Sequence, residues 1–144
     1  MTYDDTFALH RFLAAQEGFY ETALAELRHG RKLTHWMWFV FPQIQGLGSS
    51  TMAVRYSIKS REEARQYLEH PVLGKRLREC AKTVLACEGR SASDIFGYPD
   101  DLKLKSSMTL FASVAEPGSV FVRILDKYYQ GEQDIMTVEV LERH

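Results

Sequence analysis

Between Leu33 and Gln43 the chain reads LTHWMWFVFPQ, with one histidine, two tryptophans, two phenylalanines and a methionine in close succession. Arg31 and Lys32 precede this stretch, and the run Gly46-Leu47-Gly48-Ser49-Ser50 follows it. Flat π surfaces beside cations and an amide can hold a nucleobase while its phosphates are paired. In that chemistry Arg31, Lys32 and Arg55 neutralise phosphate, Trp36 or Trp38 stacks on the base, and Gln43 lines the site. The glycine-serine loop adds backbone N–H groups for the same anion. If a bond is broken there, His35 or Asp101 handles the proton.

The competing reading of the same rings is core packing. A helix buries a stripe covering less than half its surface, so one helix cannot turn all of the residues from Trp36 to Pro42 inward. Some of them are therefore expected to line a cleft, a partner contact or a second packing layer.

A second constellation is DDLKLKSSMTLF, Asp100 to Phe111. Helical spacing places Lys103, Ser106 and Ser107 on one face, with Leu104, Met108 and Phe111 on the neighbouring apolar face. Lysine beside serine can make a nucleophile, but the S-x-x-K order is absent. A polar patch that receives phosphate or a partner side chain is the functional reading, and plain helix packing is the alternative. Arg55 would pair either an anion held by the glycine loop or an acidic neighbour. His70 before Pro71 suits a helix-end partner, and the charges of KSREEARQ suit a solvated helix face.

Helical periodicity must position these groups. Phe12, Leu13, Gln16, Phe19, Tyr20, Ala23, Leu24 and Leu27 recur at three-to-four-residue intervals, as one helix or as two broken near Gly18. Thr34 is a candidate cap for the next helix, although the β-branched and aromatic content there also suits a strand. A short helix is expected around Met52–Tyr56. Ser60 and Glu63 have capping-box spacing, and His70-Pro71 divides that helix from one striped by Leu73, Leu77, Cys80, Val84 and Cys87. This stripe turns both cysteines to the core. Ser91 and Ser93 open a short turn, and a further helix is expected from about Asp101 to Val114. Beyond the Pro117-Gly118 break, Val120 to Tyr128 forms another stripe. Asp134 caps a last helix with Ile135, Val138 and Leu141 inward. The expected fold is all-α: a compact, orthogonal multi-helix single domain over residues 1–144, with about seven to nine helices.

Composition narrows the function classes. With 45% hydrophobic residues and a formal net charge of −1, the chain has the makings of a core and no whole-domain basic signature for nucleic acid. Its longest apolar run is far below the ~20 residues that span a bilayer, and no signal peptide is evident. Cys80 and Cys87 lie roughly 10 Å apart along a helix, beyond disulfide reach. Two free thiols suit a reducing cytoplasm. No C-x-x-C or clustered Cys/His set argues for a metal, and no cofactor is called for.

Four blocks carry a family resemblance: RF-x-x-AQ-x-x-x-Y (Arg11 to Tyr20), GRKLTHWMWFVFPQIQGLG (Gly30 to Gly48), HPVLGKRLREC (His70 to Cys80) and DDLKLKSSMTLFA (Asp100 to Ala112). Together, in this order, they resemble the bacterial domain-of-unknown-function 1810 family. That resemblance implies a mainly helical single domain and no established activity. The label calpastatin, carried by some members, denotes a disordered inhibitor and does not fit this core-rich composition.

A weaker similarity links the aromatic block ending in Gln43, the leucine-rich helix and Met108 with Phe111 to the NADAR family. That family is mainly helical and cleaves ADP-ribose from N-glycosides. Trp36, Trp38 and Gln43 correspond to its first block, while the family's Glu-His pair has no counterpart here.

The sequence thus raises two functions. One is a cytoplasmic domain binding a nucleotide or ADP-ribose-like ligand through the residues above, with or without hydrolysis of an N-glycosidic bond. The other is a non-enzymatic module for protein interaction or homo-oligomerisation.

Overall fold

A computed structural model describes residues 5–143. The stripes and caps resolve into ten helices among the described residues: α1 His10–Gln16, α2 Tyr20–Arg28, α3 Met37–Val40, α4 Thr51–Arg55, α5 Arg61–Glu69, α6 Leu73–Ala86, α7 Ala92–Phe96, α8 Asp100–Ala112, α9 Val120–Tyr129 and α10 Ile135–Glu142. The fold is all-α. The ten stand close to the expected seven to nine, since the first stripe divides into α1 and α2 and the short turn after Ser91 forms a helix of its own, α7. The expected break near Gly18 is real: this glycine takes φ +80°, where a side chain is disfavoured, and separates α1 from α2.

Helix α8 is the centre of the packing. It touches α5, α7, α9 and α10, while α6 packs on α2, α5 and α9. From Ser106 to Phe111 every residue of α8 is buried, so its polar side chains need internal partners. Ser106 and Thr109 donate to the carbonyls of Leu102 and Lys105 one turn back. Ser107 Oγ has no hydrogen-bond partner.

Caps set the helix starts. Ser50, Ser60, Ser91, Ser119 and Asp134 each accept an N–H of the first turn of their helix. The His70 ring does the same for α6, its Nδ1 accepting from Val72 and Leu73 N–H at 3.1 and 3.2 Å. Burial lowers the His70 pKa, which favours the neutral ring that can accept.

Thr34 caps no helix, since α3 begins after Trp36 without a side-chain cap. The strand alternative at the aromatic stretch reduces to one isolated parallel bridge further on, between Ile44 and Ile58. Cys87 is only half-buried, because α6 ends at Ala86 and the stripe stops with it. In α10 Ile135 is 71% exposed, whereas Thr137 and Leu141 point inward. Thr137 tolerates burial because its hydroxyl donates to the Asp134 carboxylate, at 2.5 Å, and this rotates the buried face.

The KSREEARQ segment is not a wholly solvated face either. Glu63 is fully buried and pairs with Arg11 at 2.8 Å. Instead of closing a capping box on Ser60, its carboxylate also accepts Lys59 N–H. All five N–H donors of Arg11 are used: Nε on Arg55 O, Nη1 on Phe7 O and Ala8 O, Nη2 on Ser57 O and Glu63 Oε2. The first motif block therefore ties α1 to the α4–α5 segment.

Removing one partner of such a buried pair leaves the other charge uncompensated. Arg11→Met is expected to cost about 3–5 kcal/mol of stability in urea denaturation, and adding Glu63→Leu should recover part of that loss.

Candidate functional site

The aromatic stretch is organised by a residue outside it, Glu26 in the last turns of α2. Its Oε1 accepts N–H of Leu33 and Thr34 at 2.7 and 3.0 Å and the Trp36 indole N–H at 2.9 Å. Its Oε2 accepts the Thr34 hydroxyl at 2.7 Å. Burial pushes this carboxyl up, but the Thr34, Leu33 and Trp36 donors outweigh it and hold the pKa at about 2. The carboxylate is thus ionised, buried and four-fold hydrogen-bonded.

Lys32 completes the clasp. Its N–H donates to Ile95 O at 2.7 Å, and its ammonium donates to Thr34 O at 2.6 Å and pairs with Asp100 at 2.9 Å. The same ammonium lies 5.1 Å from the Trp36 ring centroid. Trp36 is 0% exposed and packs against Phe41 and Phe96. It is core, with no face open to a ligand. The stripe limit on burial does not apply here, because only one turn is helical and the chain leaves it through the core, with Phe41, Pro42 and Ile44 buried beyond it. Met37, Phe39, Val40 and Phe41 are buried as well.

The remaining candidates divide into groups. Trp38 is half-buried, and the Lys103 ammonium lies 5.3 Å from its ring centroid and 3.4 Å from Asp100. Lys32, Trp36, Trp38 and Lys103 therefore do converge, with Asp100 as their common anion. Asp101 lies beside them in sequence only. Its carboxylate accepts Leu102 N–H, and its carbonyl accepts the Tyr129 hydroxyl. Arg31 and His35 are exposed. Ser106 and Ser107 are turned into the packing, away from any solvent-facing patch.

Gln43 lines a separate cavity of about 340 Å³ with the Gly46–Ser49 loop and Ser57. Arg55 stays exposed, its guanidinium 5.5 Å from the Tyr56 ring centroid.

Two further sites fall on α6. Arg76 donates to Gln16 Oε1 at 3.2 Å and lies 4.9 Å from the Tyr20 ring centroid, so the first and third motif blocks meet there. Gln16 is buried and also donates to Phe39 O and the Tyr67 hydroxyl. Tyr20 donates to Glu79, and burial pushes the neighbouring Cys80 thiol up to about 12, leaving it protonated and inert. Further along, α2 and α6 border a groove of about 830 Å³. Arg28, Lys75, Arg78 and Lys82 stand around it, with Leu27, Ala86 and Cys87 as apolar lining. Among the described residues no helix is long and apolar enough to cross a membrane.

Ten helices among the described residues, with α8 at the centre of the packing, define an all-α domain whose aromatic segment is clasped from within. The chain belongs to the family described as protein of unknown function (DUF1810), whose model matches residues 6–141. It is also similar to the crystal structure of the conserved hypothetical protein Rv1873 from Mycobacterium tuberculosis. The two share 56% identity with a TM-score of 0.94, over 96% of this chain and 99% of the other. Comparison with curated proteins gives no match.

Glu26 is inconspicuous in the sequence because its neighbours Ala23, Leu24 and Leu27 carry the stripe. The available signal was a carboxylate inside an apolar stripe, a few residues before a tryptophan whose N–H needs an acceptor.

Because the folded pKa of Glu26 lies below its ordinary value of 4.5, its contribution to stability is complete above pH 4.5 and is lost as pH falls through about 2. Glu26→Gln should cost on the order of 2–3 kcal/mol at pH 7 in urea denaturation followed by tryptophan fluorescence. Its deficit relative to wild type should shrink at pH 3 and below.

Proposed function

We propose that this chain is a cytoplasmic, non-enzymatic binding domain that engages a protein partner through the groove between α2 and α6. The observation that carries the reading is the groove itself, with cations standing over an apolar lining on two packed helices. Grooves of this kind suit recognition of an amphipathic segment. The two unpaired cysteines agree with a reducing compartment.

The competing reading is a nucleotide or ADP-ribose-like ligand at the aromatic segment, with or without cleavage of an N-glycosidic bond. Half-buried Trp38 beside Lys103 favours it. Against it, Asp100 already pairs both Lys32 and Lys103, and Trp36 has no accessible face.

Two measurements separate the readings. With AMP, ADP-ribose or NAD at millimolar concentration the melting temperature is expected to stay unchanged, and a rise with any of them would overturn the interaction reading. Alanine at Arg28, Lys75 or Lys82 should change stability by no more than about 0.5 kcal/mol, as expected for surface groups held for recognition. A loss of several times that would make them structural.

A further inference from the structure

The α2–α6 groove also carries information on the chemistry of its occupant, an inference that rests on the interaction reading. Lys75, Arg78 and Lys82 occupy positions i, i+3 and i+7 of α6 and line the groove together. They climb one helix face at intervals of roughly one turn, about 5 Å. Arg28, in the last turn of α2, lines the same groove. Exposed Ala86 and half-buried Cys87 give it apolar surface, with Leu27 buried beneath.

Its charges are unevenly committed. The acid in the groove, Glu79, already accepts the Tyr20 hydroxyl. Arg78 pairs with Glu116 at 3.0 Å and lies 5.5 Å from the Phe121 ring centroid. Among the described residues, Arg28, Lys75 and Lys82 are held in no ion pair. A surplus of cations therefore borders apolar surface in a chain whose net charge is −1.

We propose that this groove binds an acidic amphipathic helix of a partner protein. Its carboxylates, one turn apart, would face the α6 cations and Arg28, and its apolar side chains would cover Ala86 and Cys87. The one-turn spacing of the cations is the spacing at which a helix presents side chains of one face, so the two ladders can run in register. A nucleic-acid strand fits the groove less well. Among the described residues no aromatic side chain lines it for base stacking, and the chain lacks the broad basic field that drives backbone binding.

The test uses three fluorescein-labelled probes in anisotropy titrations. They are a designed helical peptide with glutamates at i, i+3 and i+7 beside a leucine stripe, its Glu→Gln counterpart, and a single-stranded thymidine oligonucleotide. The glutamate peptide is expected to bind at least tenfold more tightly than either other probe. The double variant R28E/K82E should lose at least tenfold in affinity for it. A lysine version of the peptide should bind that variant and not the wild type, a rescue that a misfolded variant cannot give. Equal binding of the glutamate and glutamine peptides, oligonucleotide binding as tight as the peptide, or no peptide binding to wild type would each overturn the proposal. The nucleotide melting experiment is independent of these outcomes, so this inference and the interaction reading fail separately.

Discussion

The Glu26 carboxylate is the constraint on which the rest of the aromatic segment depends. A buried anion is costly unless donors surround it, and here four donors come from three residues between Leu33 and Trp36. Satisfying the carboxylate fixes the backbone leading into α3 and sets the Trp36 ring against Phe41 and Phe96. Lys32 extends the clasp to the α7–α8 region through Ile95 O and Asp100. Glu26 and Trp36 thus complete one another.

This arrangement commits to the interior several of the residues that look most chemical in sequence. Trp36, Lys32 and Asp100 are committed to one another, and Ser106 and Ser107 to the interior of α8. The same turns of α2 that supply Glu26 inward also supply Leu27 and Arg28 to the groove shared with α6. Fixing the aromatic segment therefore also holds one wall of the groove. A second clasp, Arg11 on Glu63, joins α1 to the α4–α5 segment by the same physics: a fully buried carboxylate held by a guanidinium whose donors are all used.

Much of the fold was legible because its signals are local. Apolar stripes at helical spacing marked α2, α6 and α9, Gly18 marked a break, and Ser60 and Asp134 marked helix starts. What was hidden depends on contacts far apart in sequence. Glu63 reads as surface charge until Arg11, 52 residues away, is brought against it. Asp100 and Asp101 are indistinguishable in sequence, and only the approach of Lys32 selects Asp100. The aromatic stretch was expected to leave several faces open because helix geometry limits burial, but a single turn passing through a core escapes that limit. The cations of α6 were visible one by one. Their gathering with Arg28 needed the packing of α2 on α6.

The aromatic segment belongs to the fold, and recognition is proposed for the α2–α6 groove. Amide chemical-shift mapping by NMR during titration with the acidic helical peptide tests this division most directly. Perturbations concentrated in residues 26–30 and 74–87, with 34–43 unmoved, are the predicted result. Perturbations centred on Trp38 and Lys103, with the groove silent, would contradict the account.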